Sequence, residues 1–586
     1  MFSTKEGRVE SIETVPDTEN DPIKQPYYIT NSHTAMNENK VQELQDVVIR
    51  FSGDSGDGMQ LTGTLFSDTS ALLGNGISTF PDYPAEIRAP QGTVAGVSGF
   101  QVHFGAKRQL NPGDFCDVLI AMNPAALKAN RKWLKPGATV ILDEDSITEE
   151  HLRKAGFATL DPIRELNLED FNVVVPNITE MTKAALADSG LDNKAMVKCK
   201  NMFALGICFY LYNRPEDHAK HYLDSKFAKK NPAIAEANKR AIDAGYNYAA
   251  NTHQFANTYT VASGQMEKGT YRSISGNVAT AWGLCAASEK SGLPLFCGSY
   301  PITPATVILE ELAKRKDLGV KTVQAEDEIA GICTAIGASF AGNFAVTTTS
   351  GPGLSLKSEA LGLAVMTELP LVVVDVQRGG PSTGLPTKTE QSDLQQALYG
   401  RNGESPVAVI AASMPSDCFH YAFEAGRIAM EHMTPVVLLS DGFIANGSQP
   451  WRIPQMSDYP AICPPVVEPH PEGEAFMPYA RDADHRQNRG RRPFHALRPQ
   501  REAGTQLGIP RQSRSGAPCR RTGERQAERQ YLDRPTESPG NDEPACRENR
   551  QDRRLHPAPD GLRRPGRRSA RSRLGRYTRT PAECRR

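Results

Sequence analysis

Short apolar runs alternate with helical patterns along most of the chain. Runs with the length and composition of buried strands occur at residues 46–51, 117–122, 138–143 and 171–176. Patterns typical of helices separate them. A second series of apolar runs and helical patterns extends over residues 293–439. Such alternation predicts the α/β class, with two doubly wound domains.

The same pattern gives the expected domain boundaries. Residues 1–45 are polar and lack periodicity, which predicts a flexible arm. We expect the first α/β domain over residues 46–235 and the second over residues 271–460. Residues 236–270 are interpreted as a linker, and residues 461–586 as a further linker that runs into a disordered Arg-rich tail.

One helix of the second domain has a clear apolar pattern. Ile329, Cys333, Ile336 and Phe340 follow each other at the i, i+4, i+7, i+11 spacing of one helix face. We expect this face to be buried against the sheet.

Charge is distributed unevenly along the chain. The 586 residues have a formal net charge of -1, but residues 481–586 contain 28 Arg against 13 Asp and Glu together. The preceding part is therefore acidic, which argues against nucleic acid as a partner. No apolar run is long enough to span a membrane, and no signal-peptide pattern occurs at the start. The 11 Cys lack any C-x-x-C, so neither a zinc site nor an iron–sulfur cluster is expected. A cytoplasmic location is expected.

A glycine-rich turn follows the first predicted strand. Gly53, Gly56 and Gly58 lie between this strand and a helical pattern, and strand–glycine turn–helix geometry can present backbone N–H groups to an anion. The G-x-x-G-x-G spacing matches neither the dinucleotide fingerprint nor a P-loop. These glycines are candidates for cofactor binding, and a tight turn without a ligand is an equally good interpretation.

The same turn reads Gly-Asp-Gly at residues 56–58, the first half of a thiamine diphosphate motif. That motif requires an Asn some two dozen residues later, and no Asn lies between Asn75 and Asn111. The motif is therefore rejected for this turn.

Four polar clusters follow apolar runs in the second domain. They cover residues 299–304, 326–328, 349–353 and 377–384. Ligands bind at the carboxyl edge of open α/β sheets, where such clusters meet. The arrangement predicts one half of an active site.

Two of these clusters contain charged candidates. Glu326 and Asp327 have two equal interpretations, a site residue or a charge that complements the helix dipole. Glu328 directly precedes the apolar helix face, so we expect it to point inward. A lone Arg at a strand end often forms a surface ion pair, but Arg378 lies in a glycine-rich loop, which favours an anion clamp.

These clusters resemble the α subunit of 2-oxoacid:ferredoxin oxidoreductases, in the form that carries the γ domain fused in front. The resemblance covers residues 46–460 and is greatest for the 2-oxoglutarate enzymes. The motifs that carry it are Tyr-Pro-Ile-Thr-Pro at 300–304, Glu328 within 326–330, the loop at 378–384, and the γ-like segments at 51–60 and 81–90.

The resemblance implies that residues 270–460 bind the pyrimidine of thiamine diphosphate. Glu328 would stabilise the protonated pyrimidine, which lets the cofactor lose its C2 proton. Arg378 and the Thr303 hydroxyl would bind the 2-oxoacid carboxylate. The implied residues are Glu328 as catalytic carboxylate, Tyr300, Thr303, Arg378 and Thr383 for substrate, and Glu328, Ser350 and Gly351 for the cofactor.

The resemblance also implies partners. In the family a β subunit supplies the Mg²⁺ and diphosphate half of the cofactor site and the iron–sulfur cluster, so this chain should need a β subunit for activity. The family decarboxylates a 2-oxoacid, passes electrons to ferredoxin and transfers the acyl group to coenzyme A. A hetero-oligomer without membrane or nucleic-acid partners is expected.

The sequence changes character at about residue 481. No Lys, Val, Met or Trp occurs beyond it, and Arg pairs are frequent. The family continues with another α/β domain, so a reading-frame shift is the simplest explanation, and a nucleic-acid-binding tail is the alternative. A working subunit and a non-catalytic remnant therefore both stay open. Translation of the other two frames beyond codon 480 would distinguish them.

Overall fold

A computed structural model describes the part of the chain that holds both predicted domains. The described residues are 12–13, 40–84, 89–252, 254–255, 257–264 and 266–465. The predictions for the Arg-rich tail, and for most of the N-terminal arm, lie outside these residues. Two short strands come first, β1 (Ile12–Glu13) and β2 (Lys40–Leu44).

The first α/β region, residues 46–251, is built on a six-stranded mixed sheet of order β4-β5-β3-β6-β7-β8. Strands β4, β5 and β3 pair antiparallel, and β3, β6, β7 and β8 pair parallel. The strands are β3 (Asp46–Asp54), β4 (Gly76–Asp82), β5 (Val97–Gly105), β6 (Cys116–Ala121), β7 (Leu134–Leu142) and β8 (Asn172–Val174).

Helices cover both faces of this sheet. They are α1 (Met59–Leu72), α2 (Pro124–Asn130), α3 (Glu149–Lys154), α4 (Pro162–Glu165), α5 (Ile178–Ala185), α6 (Asn193–Val197), α7 (Lys200–Leu211), α8 (Asp217–Leu223) and α9 (Pro232–Asn251). Short 3₁₀ helices occur at Val94–Gly96, Arg131–Trp133 and Glu144–Ser146, and a π-helical turn at Asp224–Ala228.

The linker interpretation of residues 236–270 does not match the structure. Asn231 caps α9 by accepting a hydrogen bond from the Ile234 N–H group, and α9 then continues to Asn251. Helix α9 packs closely on α7, because a side chain at Gly206 or Gly245 would overlap the backbone of the facing helix. The strands β9 (Asn257–Val261) and β10 (Thr270–Ser275) follow.

The second α/β region, residues 270–462, has a parallel six-stranded sheet of order β12-β11-β13-β14-β16-β15. All seven residues of β14 are buried, as a central parallel strand requires. The strands are β11 (Leu295–Ser299), β12 (Lys321–Gln324), β13 (Phe344–Thr349), β14 (Leu371–Gln377), β15 (Ala408–Ala411) and β16 (Pro435–Asp441).

The helices of this region again lie on both faces of the sheet. They are α10 (Gly276–Ser291), α11 (Thr306–Ala313), α12 (Glu328–Phe340), α13 (Gly351–Met366), α14 (Leu394–Tyr399), α15 (Cys418–His432) and α16 (Gly442–Asn446), with 3₁₀ helices at Lys316–Leu318, Pro415–Asp417 and Met456–Asp458. Strand β17 (Ser448–Arg452) forms an antiparallel sheet with β1 and β10.

The structure confirms the α/β class and corrects the prediction for the buried face of α12. Ile329 and Phe340 are 50% and 51% exposed, and Cys333 is exposed as well, whereas Ile336 is buried. The buried face consists of Gly331, Ile332, Ala335, Ile336 and Ser339, and Gly331 packs against the backbone of β11. Helical spacing alone does not identify the inward face when apolar residues occur on both faces.

The antiparallel strands β4 and β5 were not predicted. Their signal is the period-2 alternation of Phe100, Val102 and Phe104, which are all buried. These two strands make the first sheet mixed, whereas the apolar runs alone predicted only its parallel part.

The two regions belong to one compact unit and contact each other directly. The Lys388 ammonium lies 2.8 Å from Asp82 Oδ1 and donates to the Tyr83 carbonyl. The Ser448 N–H group donates to the Thr79 hydroxyl. Among the described residues, no helix is long and apolar enough to cross a membrane.

Candidate active site

The polar clusters of the second region meet at the carboxyl edge of its sheet. Strands β11, β13 and β14 are neighbours in the sheet, and each runs into one of the predicted polar loops. The convergence predicted from the sequence is therefore observed.

Glu328 and Tyr300 form the centre of the site. The Tyr300 hydroxyl donates a 2.7 Å hydrogen bond to Glu328 Oε1, and the Thr349 hydroxyl lies 3.4 Å from the Tyr300 oxygen. Burial, together with the neighbouring Glu328 carboxylate, raises the pKa of the Tyr300 hydroxyl. Tyr300 therefore remains a neutral donor that orients the carboxylate.

A buried lysine lies next to this pair. The Lys357 ammonium donates to the Glu328 backbone carbonyl at 2.7 Å and to the Thr347 hydroxyl at 3.2 Å. It lies 5.2 Å from the centroid of the Tyr300 ring. Burial lowers the pKa of Lys357 to about 8, against the opposing effect of the Glu328 carboxylate. Sequence analysis missed Lys357, which lies next to Ser358 and Glu359 in α13 and resembles an exposed helix residue in the sequence.

Gly353 leaves the space that this arrangement needs. A Cβ atom there would overlap the Thr349 hydroxyl, and would lie 2.5 Å from the Tyr300 oxygen and 3.0 Å from Glu328 Cγ. Any side chain at this position would displace the central pair. Its signal in the sequence was the Ser-Gly-Pro-Gly turn.

The two acids before Glu328 differ from it. Asp327 is the N-cap of α12, and its carboxylate accepts a 2.8 Å hydrogen bond from the Ala330 N–H group. Glu326 is exposed. Asp327 therefore has a structural role at the start of the helix, and of the three acids Glu328 is the one that points inward to Tyr300.

Arg378 connects two loops of the site. Its Nη1 and Nη2 atoms donate to the backbone carbonyls of Thr303 and Thr383, each at 2.8 Å. The sequence predicts that Arg378 and the Thr303 hydroxyl bind the substrate together. In the structure Arg378 instead donates to the Thr303 carbonyl. The buried Nε atom of Arg378 has no hydrogen-bond partner within the described ranges, and burial lowers the pKa of this guanidinium. Nε is therefore a donor that the protein leaves unused.

Ser350 and Gly351 begin α13. Ser350 is fully buried, and its hydroxyl has no hydrogen-bond partner in the part of the chain that the structure describes. A Cβ atom at Gly351 would lie 2.7 Å from Asp393 Oδ2. The space beside Gly351 is therefore filled by Asp393.

The glycine turn of the first region is closed by its own side chains. Asp57 Oδ2 accepts a 2.8 Å hydrogen bond from the Asp54 N–H group, and Lys200 lies 3.6 Å from the other Asp57 oxygen. A Cβ atom at Gly53 would lie 2.7 Å from Asp57 Oδ2. Gly58 has a positive φ of 80° and precedes α1, whose N-terminus has no side-chain cap. Gly56 also has positive φ.

A cavity of about 330 Å³ lies next to the site, and residues of both regions line it. Ser55, Tyr83 and Pro84 line it from the first region. Thr303 and Thr387 line it from the second. The glycine turn and the loop that Arg378 holds therefore face one shared space.

Two family sequence models match this chain. One is described as pyruvate flavodoxin/ferredoxin oxidoreductase, thiamine diphosphate-binding, and matches residues 289–498. The other, pyruvate ferredoxin/flavodoxin oxidoreductase, matches residues 48–248. The 2-oxoglutarate oxidoreductase subunit KorA of Mycobacterium tuberculosis is 55% identical over 443 residues, which cover 76% of this chain and 67% of that protein. This chain belongs to the α subunits of the 2-oxoacid:ferredoxin oxidoreductases.

Other relatives agree with this assignment. The 2-oxoglutarate synthase subunit KorA of Archaeoglobus fulgidus is 41% identical over 186 residues, which cover 32% of this chain and 52% of that protein. The solved 2-oxoglutarate:ferredoxin oxidoreductase of Magnetococcus marinus, with 2-oxoglutarate, coenzyme A and succinyl-CoA bound, has a TM-score of 0.63 at 30% identity. The match covers 84% of this chain and 80% of that one.

The site of this α subunit fits an aminopyrimidine. Glu328 offers a carboxylate that Tyr300 orients, Gly353 leaves the room which that pair needs, and Ser350 is a buried hydroxyl without a partner among the described residues. Among the described residues, no group of three or more His, Cys, Asp or Glu side chains could hold a metal ion.

Proposed function

We propose that this α subunit acts in a coenzyme A-dependent enzyme that oxidises 2-oxoglutarate with ferredoxin as electron acceptor. The observation that carries the proposal is the Tyr300–Glu328 pair at the carboxyl edge of the second sheet, with Lys357 beneath it. The names of the Mycobacterium and Magnetococcus proteins support 2-oxoglutarate as the substrate.

Glu328 would accept a hydrogen bond from the pyrimidine ring nitrogen of thiamine diphosphate. The bound cofactor supplies a nucleophilic carbon and an electron sink for decarboxylation. Tyr300 holds the Glu328 carboxylate in place, and Lys357 fixes the first turn of α12 through the Glu328 carbonyl. The Ser350 hydroxyl is a further candidate contact with the cofactor.

Arg378 would bind the carboxylate of the 2-oxoacid through its free Nε–H and its remaining Nη–H groups. Thr303 and Thr383 are held beside it by their carbonyls. In the proposed reaction the bond to this carboxylate breaks and CO₂ leaves. Two electrons pass to oxidised ferredoxin, and coenzyme A takes the acyl group as its thiol loses a proton.

The cavity between the regions is the proposed approach of coenzyme A. It joins Ser55 of the glycine turn to Thr303 beside the substrate position. The uncapped N-terminus of α1 after Gly58 would favour a phosphate, which keeps Gly53, Gly56 and Gly58 as candidate contacts.

A β subunit is the proposed partner for the exposed apolar surface beside Glu328. This surface, the α12–α13 face, consists of Ile329, Cys333 and Phe340 on α12 with Leu356, Leu363 and Met366 on α13. Exposed apolar patches of this kind mark protein interfaces. The β subunit would bring Mg²⁺, the contacts to the diphosphate and the iron–sulfur cluster. A cytoplasmic location stays a prediction from the sequence.

Substitution of Glu328 tests the proposal. Glu328→Gln, produced together with the β subunit, should lose about 100-fold or more of the 2-oxoglutarate-dependent reduction of ferredoxin, because the amide carries no negative charge. The matched control, Glu326→Gln, changes an exposed acid two residues away and should stay within about twofold of the wild type. Circular dichroism checks that both variants fold.

Near-normal turnover in Glu328→Gln would contradict the assigned role. If the wild-type subunit binds its β subunit and thiamine diphosphate but oxidises no 2-oxoacid, the non-catalytic alternative is favoured. The change of composition after residue 481 is the observation behind that alternative.

A further inference from the structure

Strand β14 contains an acid that the proposed chemistry does not use. Asp375 has 0% exposure, and the strand around it is buried along its whole length. A buried carboxylate without a cation is unfavourable, so such a group is normally paired or neutral. Asp375 faces a second buried acid, Asp393.

The contacts of the two acids are unusual for carboxylates. Among the residues that the structure describes, no N–H group or hydroxyl donates to either oxygen of Asp375. Two carboxyl groups can hydrogen bond to each other only when one carries a proton. Burial and the neighbouring Asp393 raise the pKa of Asp375 well above its usual range, and burial also raises the pKa of Asp393.

Asp393 is held in place from two sides. Its N–H group donates a 2.9 Å hydrogen bond to Gln377 Oε1, so its backbone is attached to the end of β14. Its carboxyl group fills the space beside Gly351 at the start of α13. The pair therefore lies where β14, α13 and the segment before α14 meet.

The two acids flank the two ends of one functional segment. The substrate loop, residues 378–393, begins at Arg378 just after β14 and ends at Asp393 just before α14. Within it, Gly379 and Lys388 are joined by a backbone hydrogen bond of 2.8 Å. Because the Asp393 N–H group is bonded to Gln377, two residues after Asp375 on the same strand, both acids lie at the base of this loop.

We propose that Asp375 and Asp393 share one proton and, as a pair, hold the two ends of the loop that carries Arg378, so that loss of the proton weakens 2-oxoacid binding. The proposal rests on the function assigned to Arg378 above. Both acids are positioning residues, because they act through Arg378 and do not touch the substrate.

The direction of the pH effect follows from the raised pKa of each acid. A carboxyl group with a higher pKa in the folded chain stabilises the fold in its protonated form. That contribution is complete below the unfolded value, about 3.9 for Asp, and is lost as the pH rises through the folded value. Alkaline pH should therefore loosen the substrate loop.

Other charged groups on the surrounding elements are few. Glu390 in the loop faces Asp393 and accepts a hydrogen bond from the Gly380 N–H group, and Asp441 accepts one from Gln391. On α13, Lys357 is engaged with Glu328 and Thr347, and Glu359 is exposed. Strand β13 and helix α14 contribute no carboxylate or cation. Lys357 also titrates at alkaline pH, so a control for its effect is needed.

Asp375→Asn tests the pair in the complete enzyme with its β subunit. The amide donates to Asp393 without a titrating proton, so the loop should stay closed at alkaline pH. For the wild type, KM for 2-oxoglutarate should rise by up to about tenfold per pH unit at the alkaline end of a series from about pH 6 to about pH 9.5. In Asp375→Asn this rise should be lost while kcat at neutral pH is kept. Glu359→Gln, an exposed acid-to-amide change, should retain the wild-type profile, including any contribution of Lys357.

A profile in Asp375→Asn as steep as in the wild type would overturn the proposal, and so would a flat wild-type profile. If Asp375→Asn fails to fold, Asp393→Asn provides the same test from the other side. The infrared carbonyl stretch of a protonated carboxylic acid at neutral pH, present in the wild type and lost in either variant, requires no turnover. Its absence in the wild type would refute proton sharing. Its presence in an inactive enzyme would leave the pair intact and reject only the proposed function.

Discussion

Two strand–glycine turn–helix units in this α subunit have similar sequences and different surroundings. The unit of β3 and α1 is closed by Asp57, which accepts a hydrogen bond from the Asp54 N–H group. The unit of β13 and α13 leaves the Ser350 hydroxyl unpaired and buried, and Gly353 gives room to Tyr300. Gly56 and Gly58 have positive φ and form the turn of the first unit, whereas Gly351 and Gly353 lie within α13 and leave room for neighbouring side chains. The neighbouring side chains thus decide whether a ligand can bind.

Charge separates the two units further. In the first, Asp54 and Asp57 face a single cation, Lys200. In the second, Lys357 and Arg378 lie around the Glu328 carboxylate. An anionic 2-oxoacid is favoured by the second environment and disfavoured by the first.

The largest effect is expected from filling the space at Gly353. Gly353→Ala would place a methyl group on the Thr349 and Tyr300 hydroxyls. We expect turnover to fall by about 100-fold or more, because a displacement of catalytic groups by about 1 Å has that effect. The matched control is Gly362→Ala in the same helix, where the nearest atom lies 4.0 Å away. Equal activity of both variants would show that the Gly353 side of the site is not used.

Arg378→Met should have the next largest effect. Loss of a buried, charge-assisted contact should raise KM for 2-oxoglutarate by about 10- to 100-fold. Arg378→Lys keeps the positive charge without the paired N–H donors of the guanidinium, so its KM should lie between those of the wild type and Arg378→Met. An unchanged KM in steady-state assays would place the substrate carboxylate elsewhere.

A smaller effect is expected at the ion pair by which the two α/β regions contact each other. Lys388→Met removes the ion pair with Asp82 and leaves Asp82 bonded to Arg50. Because this pair is partly exposed, we expect at most about 1 kcal/mol, or a change of up to about fivefold in KM for coenzyme A or 2-oxoglutarate. The control is Lys314→Met, which removes a more exposed lysine from its ion pair with Glu311. No change in either constant would mean that this contact is only structural.

The smallest effect is expected in the closed glycine turn. Asp57→Asn still accepts the hydrogen bond from Asp54, so the free energy of unfolding in urea should change by less than about 1 kcal/mol. If the turn contacts a phosphate of coenzyme A, as proposed for Gly53, Gly56 and Gly58, loss of the Asp57 charge should lower the KM for coenzyme A. A KM within about twofold of the wild type would show that the turn binds no phosphate and would remove these glycines from the coenzyme A site.

The sequence predicted those features that depend on residue type at a strand end. Arg378 after the buried β14, and Glu328 at the first turn of α12, lie where expected because parallel strands bring their carboxyl ends together. Lys357 was missed because its partners, Glu328 and Thr347, are distant in sequence. Pairing across many residues leaves no local pattern.

The errors have a common physical origin. On α12 the close approach of Gly331 to β11 accompanies a face that buries Ile332 and leaves Ile329 exposed. Residues 236–251 have low overall hydrophobicity, yet they form part of α9, where Gly206 and Gly245 allow close helix packing. In both cases a close approach at glycine decides which face is buried, and hydropathy does not record it.

The contact between Thr79 and Ser448 has a consequence for synthesis of the chain. Strand β4 is an edge strand of the first sheet, and β17 covers it through the hydrogen bond from the Ser448 N–H group to the Thr79 hydroxyl. The ring of Phe443 also packs on Phe80. On the ribosome, therefore, the first region leaves the exit tunnel with an uncovered edge and stays so until the second region has been translated. Expression of the first region by itself would leave this edge open to intermolecular strand pairing.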